Sequence, residues 1–203
     1  MKNYLCVGGS KIELTEEQVE KLAEGLAVRA SVKLADKAKG DTFKIGEYEF
    51  VVLEHREGTT AVILKGILEN SKFSDENCDF KTSIVKTKLE VFADAIKGAI
   101  GADNLFEHTV DLTSNDGLKD YGSDKAKMSL LTAELYRRYV ETLDKHNPDT
   151  WWWLATPYST PKHGWENFVL CVAPSGDVNY DFSCSFISGV RPFCILKSDI
   201  FVS

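Results

Sequence analysis

The sequence is short of basic charge. Its 24 Lys and Arg stand against 31 Asp and Glu, a formal net charge of −7 at pH 7, and the cations form no cluster. That excludes the electrostatic footprint of a nucleic-acid binder and of a protein held on anionic lipid. No apolar run approaches the roughly 20 residues that a bilayer-spanning helix requires. The opening run Met1 to Gly9 is too short in its apolar part for a signal peptide, which predicts synthesis in a reducing cytoplasm. Cysteine is scarce and odd in number. Cys6, Cys78, Cys171, Cys184 and Cys194 contain no C-x-x-C pair, the spacing of neither a disulfide framework nor a zinc site. The four histidines, His55, His108, His146 and His163, include no pair at i, i+4, so no helical metal pair exists. Gly8-Gly9 lacks the residues of a phosphate loop, and Ser159 and Ser175 have no His and Asp at a diagnostic spacing. No cofactor, no metal and no enzymatic activity are expected.

What is present suits one globular domain with a small appendage. Tyr4-Leu5-Cys6-Val7 and Ile12-Glu13-Leu14 flank Gly8-Gly9 as a hairpin. Thr15 and Gln18 hold capping-box positions, and Val19, Leu22, Ala23 and Leu26 form an apolar stripe behind them. Residues 28–41 lose that pattern and read as a linker, which makes 1–38 a hairpin-helix segment that either attaches to a larger assembly or packs on the main domain. The main domain, 41–203, opens with alternating strand patterns at Phe43, Ile45, Tyr48, Phe50 and Val52. Helices are predicted near 83–99 and 132–144. The first has Val85, Leu89, Phe92 and Ile96 on one face, and the second has Leu135, Tyr139, Val140 and Leu143. Strands, two helices and further strands in that order predict an α+β domain with a small antiparallel sheet, whose terminal strand returns near its start.

Residues 151–203 differ in texture, with all four tryptophans and few Lys or Glu. In Trp151-Trp152-Trp153-Leu154, strand alternation puts Trp151 and Trp153 on one face and Trp152 on the other, all suited to a core. Arg191 lies among apolar neighbours, so its donors need buried acceptors and it is expected to fasten a loop to the core. Gly189 is expected to supply a backbone shape closed to other residues. Asn147-Pro148-Asp149 reads as a helix-ending turn. In 177–188, Tyr180, Phe182 and Phe186 fall on one face of a strand and Asn179, Asp181, Ser183 and Ser185 on the other. Tyr, Ser, Asn and Phe are also the residues of adaptable binding surfaces.

Three stretches in order, Ser129-Leu130-Leu131-Thr132-Ala133-Glu134, Trp151-Trp152-Trp153-Leu154-Ala155-Thr156-Pro157 and Gly189-Val190-Arg191-Pro192-Phe193, resemble a bacterial and phage domain family with Trp-Trp-Leu and Gly-Val-Arg-Pro strands. That family is similar in pattern to C-type-lectin-fold domains, among them the variable proteins of diversity-generating retroelements, and to the formylglycine-generating enzymes. The resemblance implies a C-type-lectin-like fold and a ligand-display protein on a phage virion or bacterial cell surface. Its ligand would be a protein or glycan receptor on a host or neighbouring cell, with neither nucleic acid bound nor membrane crossed. The binding surface, at about 158–188, would comprise Tyr158, Trp165, Asn167, Phe168, Asp177, Asn179, Tyr180, Asp181, Phe182, Ser183, Ser185 and Phe186. The alternatives are a lectin-like binding or phage structural domain without diversification, and an enzyme that would need Cys184 and Cys194 as a reactive pair.

If the surface is diversified, the coding DNA has a near-copy close by that differs almost only where the copy carries adenine. The differences fall between Tyr158 and Ser188 and leave Trp151 to Leu154 and Gly189 to Phe193 unchanged, since buried substitutions cost kilocalories and exposed ones cost little. Sequencing the locus checks this. A locus with neither a near-copy nor a reverse-transcriptase gene removes the mechanism.

Overall fold

The protein's structure, a computed structural model, describes residues 3–7, 10–22 and 31–203; the side chains of 5–7 and 10 are left aside. The expected turn at Gly8-Gly9, the side chain of Cys6, the stripe residues Ala23 and Leu26, and positions 28–30 lie outside the described residues. The N-terminal strands are β1 (Asn3–Val7) and β2 (Ser10–Leu14), an antiparallel pair. Residues 16–22 are helical. The expected capping box is there: Gln18 Oε1 accepts from the Thr15 amide (3.0 Å) and Thr15 Oγ1 from the Gln18 amide (3.2 Å).

Most of the remaining strands are short. They run β3 (Val32–Lys33), β4 (Thr42–Ile45), β5 (Tyr48–Arg56), β6 (Thr59–Leu64) and β7 (Glu69–Ser71), then helix α1 (Ile84–Ile100). Next come β8 (Leu105–Phe106), β9 (His108–Asp111), β10 (Ser123–Ala126) and β11 (Met128–Ser129), then helix α2 (Ala133–Leu143). The chain finishes with β12 (Trp152–Pro157), β13 (Phe168–Val172), β14 (Val178–Phe182), β15 (Ser188–Val190), β16 (Phe193–Lys197) and β17 (Phe201–Val202).

This architecture corrects the expected fold class. The protein is mostly β, with seventeen strands among the described residues in several sheets that include a curled half-barrel; it is not a two-helix C-type-lectin-like α+β domain. A six-stranded sheet has the order β11-β16-β6-β5-β4 with β8 also on β16, and a five-stranded sheet the order β14-β13-β12-β15-β7. The physical reason for the misreading is length. Segments such as 69–71, 105–111 and 123–129 form strands of two to four residues, too few for a period-2 pattern to register.

Both helices lie where the apolar period put them. Ser83 caps α1 by accepting from the Lys86 amide, and Val85, Leu89, Phe92, Ala93 and Ile96 are its buried stripe. Thr132 caps α2 through the Leu135 amide. The buried face of α2 is rotated from the expected one: Tyr136 and Tyr139 go fully inward with Leu143, while Leu135 and Val140 are only half-buried. The segment read as a linker is, in its described part, docked. β3 pairs antiparallel with β17, the Leu34 amide donates to Ile200 O (2.9 Å), and the Leu34 side chain is fully buried.

Two apolar clusters fill the interior, and β5 and β12 serve both. Phe50, Val52, Trp153 and Ala155 join the cluster under α1, while Val51, Leu53, Trp152 and Leu154 join the cluster under α2. Trp151 packs against the first cluster, so the tryptophans divide as alternation requires. Asn147 is structural, as its turn predicts: its amide donates to Ala173 O and Pro174 O, and its Oδ1 accepts from Trp152 Nε1 (3.0 Å). Gly189 is needed for room rather than for backbone shape. Its φ is unexceptional, but a Cβ there would come within 2.7 Å of Ile67 Cδ1.

Arg191 is fully buried beneath these elements. Its Nε donates to Leu64 O (2.9 Å), and its Nη2 to Lys65 O (3.1 Å) and His146 O (2.8 Å). The guanidinium carbon lies 4.9 Å from the centre of the Trp152 ring, a cation–π contact. Burial lowers its pKa to about 10, so it stays charged at neutral pH. Arg191→Leu would strand these carbonyls, at ~1–3 kcal/mol for each group left buried without a partner. The expected loss is about 3 kcal/mol or more, read from the midpoint of a urea transition. A loss below about 1 kcal/mol would show that Arg191 is not the anchor.

Candidate ligand-binding surface

β12 leaves the core at Pro157 and passes into a loop that returns at β13. A 3-10 turn at Pro161–His163 closes on Gly164, whose φ of +73° suits glycine. The Tyr158 amide donates to Phe168 O (2.9 Å) and ties the loop mouth. β13 and β14 then form an antiparallel hairpin in which Phe168 faces Phe182 and Leu170 faces Tyr180. On this side of the sheet Leu170 and Val172 belong to the cluster under α2. Beyond them the core runs out into solvent as a group of touching rings.

Tyr158 and Tyr180 have ring centres 4.2 Å apart, as do Phe168 and Phe182; Trp165 lies 5.2 Å from Phe168 and 5.9 Å from Tyr158. Three of these rings stay about half in water: Trp165 is 45% exposed, Tyr180 42% and Phe182 50%. A contiguous exposed apolar patch marks an interaction site more often than scattered exposed residues do.

The predicted residues divide accordingly. Tyr158, Trp165, Phe168, Tyr180 and Phe182 come together on one face. Asn167, Asn179 and Ser185 are exposed, and Asp181 is half-buried. Asp177 sits at the opposite end of the hairpin, in the turn where it accepts from Ser175 Oγ (2.9 Å). Ser183 is buried, its amide and hydroxyl both donating to Asn167 O. Phe186 turns inward against Trp151 and Trp153.

Sequence reasoning missed the neighbouring cleft. It has a volume of about 350 Å³ and is lined by Asn115, Asp116, Tyr158, Ser159, His163 and Trp165. The turn at 114–117 puts Gly117 at a φ of +87°, and the Asn115 amide donates to Pro157 O (2.9 Å), fixing this loop to the end of β12. Asp116 is the hub. Its Oδ1 accepts from Ser114 Oγ and the Leu118 amide, and its Oδ2 from Ser159 Oγ and His163 Nδ1 (2.9 Å). Hydrogen bonds from the Ser114 hydroxyl first, then from the Ser159 hydroxyl and the His163 ring nitrogen, hold the carboxyl well below the usual carboxylate range. Ser159 thus bonds the carboxylate rather than the imidazole, so the group is no Ser-His relay. Burial also pushes thiols up, Cys78 to about 11 and Cys171 to about 12, the opposite of nucleophile activation.

β14 is an edge strand, and its free edge is guarded. Inward bonds from Ser183 to Asn167 and from Ala173 to Asp177 set the alternation, which leaves the amides of Tyr180 and Phe182 facing away from β13. Each is taken by the side chain before it: Asn179 Oδ1 accepts from the Tyr180 amide (2.9 Å) and Asp181 Oδ1 from the Phe182 amide (2.7 Å).

The family model of a domain of unknown function, DUF6273, matches residues 68–198. The chain belongs to the DUF6273 family. No curated protein and no solved structure matches it. The DUF6273 match takes in both helices, the cleft loops and the whole β13–β14 hairpin, and leaves β1 to β6 outside.

Replacing the edge guards, Asn179→Val with Asp181→Val, frees two donors on a DUF6273 edge strand flanked by aromatics. Two hydrogen bonds at about 1 kcal/mol each favour strand pairing between copies by about thirtyfold. Light scattering across a concentration series reads the self-association. A double variant as monodisperse as the parent chain would show that the guards have no such role.

Proposed function

We propose that this DUF6273 domain is a non-catalytic binding module that seats its ligand on the ring face of the β13–β14 hairpin and in the adjoining cleft. The observation that carries the reading is the run of five touching rings, three of them about half exposed. Exposed Trp and Tyr are costly to leave in water and are the residue types that dominate binding hot spots. The face is stiff from below. All six residues of β12 are buried, and Trp152 is held by both Asn147 and Arg191. A preformed face loses less entropy on binding. Display at a virion or cell surface, and variation of exposed positions, belong to the same proposal. Attachment then falls to residues 1–38, where Tyr4, Ile12 and Leu22 present exposed apolar side chains.

The test is selection of ligands against the full chain from a random cyclic-peptide display library and from a glycan array. Binders from either source should weaken by about thirtyfold on Trp165→Ala or Phe182→Ser, a hot-spot loss of about 2 kcal/mol. Melting temperatures should stay near the parent value because both side chains are exposed. Binders that ignore both substitutions, or none from either source, would overturn the reading.

A further inference from the structure

We infer that the ligand is a neutral carbohydrate, with one sugar ring entering the cleft between Asn115, His163 and the rings of Tyr158 and Trp165. This rests on the binding reading above and narrows it to a chemical class.

The cleft divides as a sugar does. One wall is aromatic, and the face of a pyranose carries C–H groups whose slight positive charge suits the negative face of a ring. The other wall is polar, and a sugar rim carries hydroxyls that both donate and accept. A volume of about 350 Å³ lies at the small end of ligand pockets, roughly 300–1,000 Å³, which fits a single ring better than a folded segment of protein.

Asp116 organises that polar wall without being spent on ligand. A carboxylate offers about four acceptor positions, and Ser114, Leu118, Ser159 and His163 take them. Its bond to His163 Nδ1 orients the imidazole, with Nε2 as the nitrogen directed away from the carboxylate. In the neutral ring Nδ1 carries the proton and Nε2 accepts from a hydroxyl. The exposed Asn115 side chain supplies a donor and an acceptor beside it.

Other ligand classes meet obstacles on the same surface. A phosphate or carboxylate would face the ionised Asp116 with neither Lys nor Arg in the lining. An extended peptide that adds a strand to β14 would find the Tyr180 and Phe182 amides already occupied. A quaternary ammonium is held best by several rings around it, whereas two, Tyr158 and Trp165, line this cleft.

The experiment titrates the full chain with maltohexaose, cellohexaose, chitohexaose and mannohexaose, and separately with choline, following indole fluorescence and amide NMR shifts. At least one saccharide should saturate below about 10 mM. Its shifts should centre on Asn115, His163 and Trp165, and it should weaken at least about tenfold in Asn115→Ala and in Trp165→Ala. No saturation by any saccharide, shifts centred elsewhere, or saturation by choline alone would overturn the inference. Library peptides that are lost on Phe182→Ser would then leave the binding reading standing; their absence as well would remove both.

Discussion

One guanidinium ties together three stretches of backbone that lie far apart in the chain. Arg191 reaches the end of β6, the residue after it, and the connection between α2 and β12, and it does so from the short link between β15 and β16. Its bonds go to backbone carbonyls and its face lies on Trp152, so the charge is met by dipoles and a ring. Such an arrangement is geometrically demanding. A planar fork satisfies acceptors only where the carbonyls already point inward, and Lys could not reproduce it with a single point of charge. The position therefore fixes how the two sheets meet. Gly189 lets β15 approach Ile67 closely, and two residues later Arg191 locks the contact.

The proposed binding face inherits this order. β12 is buried on both sides because each sheet face has its own helix-covered cluster; β13 pairs with it across a register shift between Trp153 and Pro157, and β14 pairs with β13 in continuous register. The cleft is built differently, from two loops far apart in the chain that are held by one carboxylate. Rings fixed by a sheet and polar groups fixed by a hydrogen-bond hub can both be present before a ligand arrives.

How far the sequence reveals this depends on the range of the interaction. Local patterns were readable. The capping box at Thr15, the stripe of α1, the division of Trp151, Trp152 and Trp153, and the need of Arg191 for acceptors each follow from neighbours within one element. Tyr180 and Phe182 separate from Asn179 and Asp181 for the same reason. Phe186 escapes it because the strand ends at Phe182 and the turn that follows breaks the alternation. The fold class was misread because strands of two to four residues carry too few side chains to show a period. The Asp116 hub was invisible: His163 lies 47 residues away, and no spacing rule joins them. The edge guards were seen only as polar residues on a strand, since their bonds to the next amide depend on which amides face outward.

The pairing of β3 with β17 bears on the order of synthesis. These strands join Lys33 to Phe201, and the Lys44 amide also donates to Ser203 O (2.7 Å). A ribosome releases β3 long before β17 exists, so Leu34 has no complete pocket while most of the chain is being made. Contacts this distant in sequence slow folding, because the intervening loop must close before they form. A nascent chain then waits with its early strands unsealed and open to capture by chaperones, and the domain closes in one late step rather than growing from its N-terminal side.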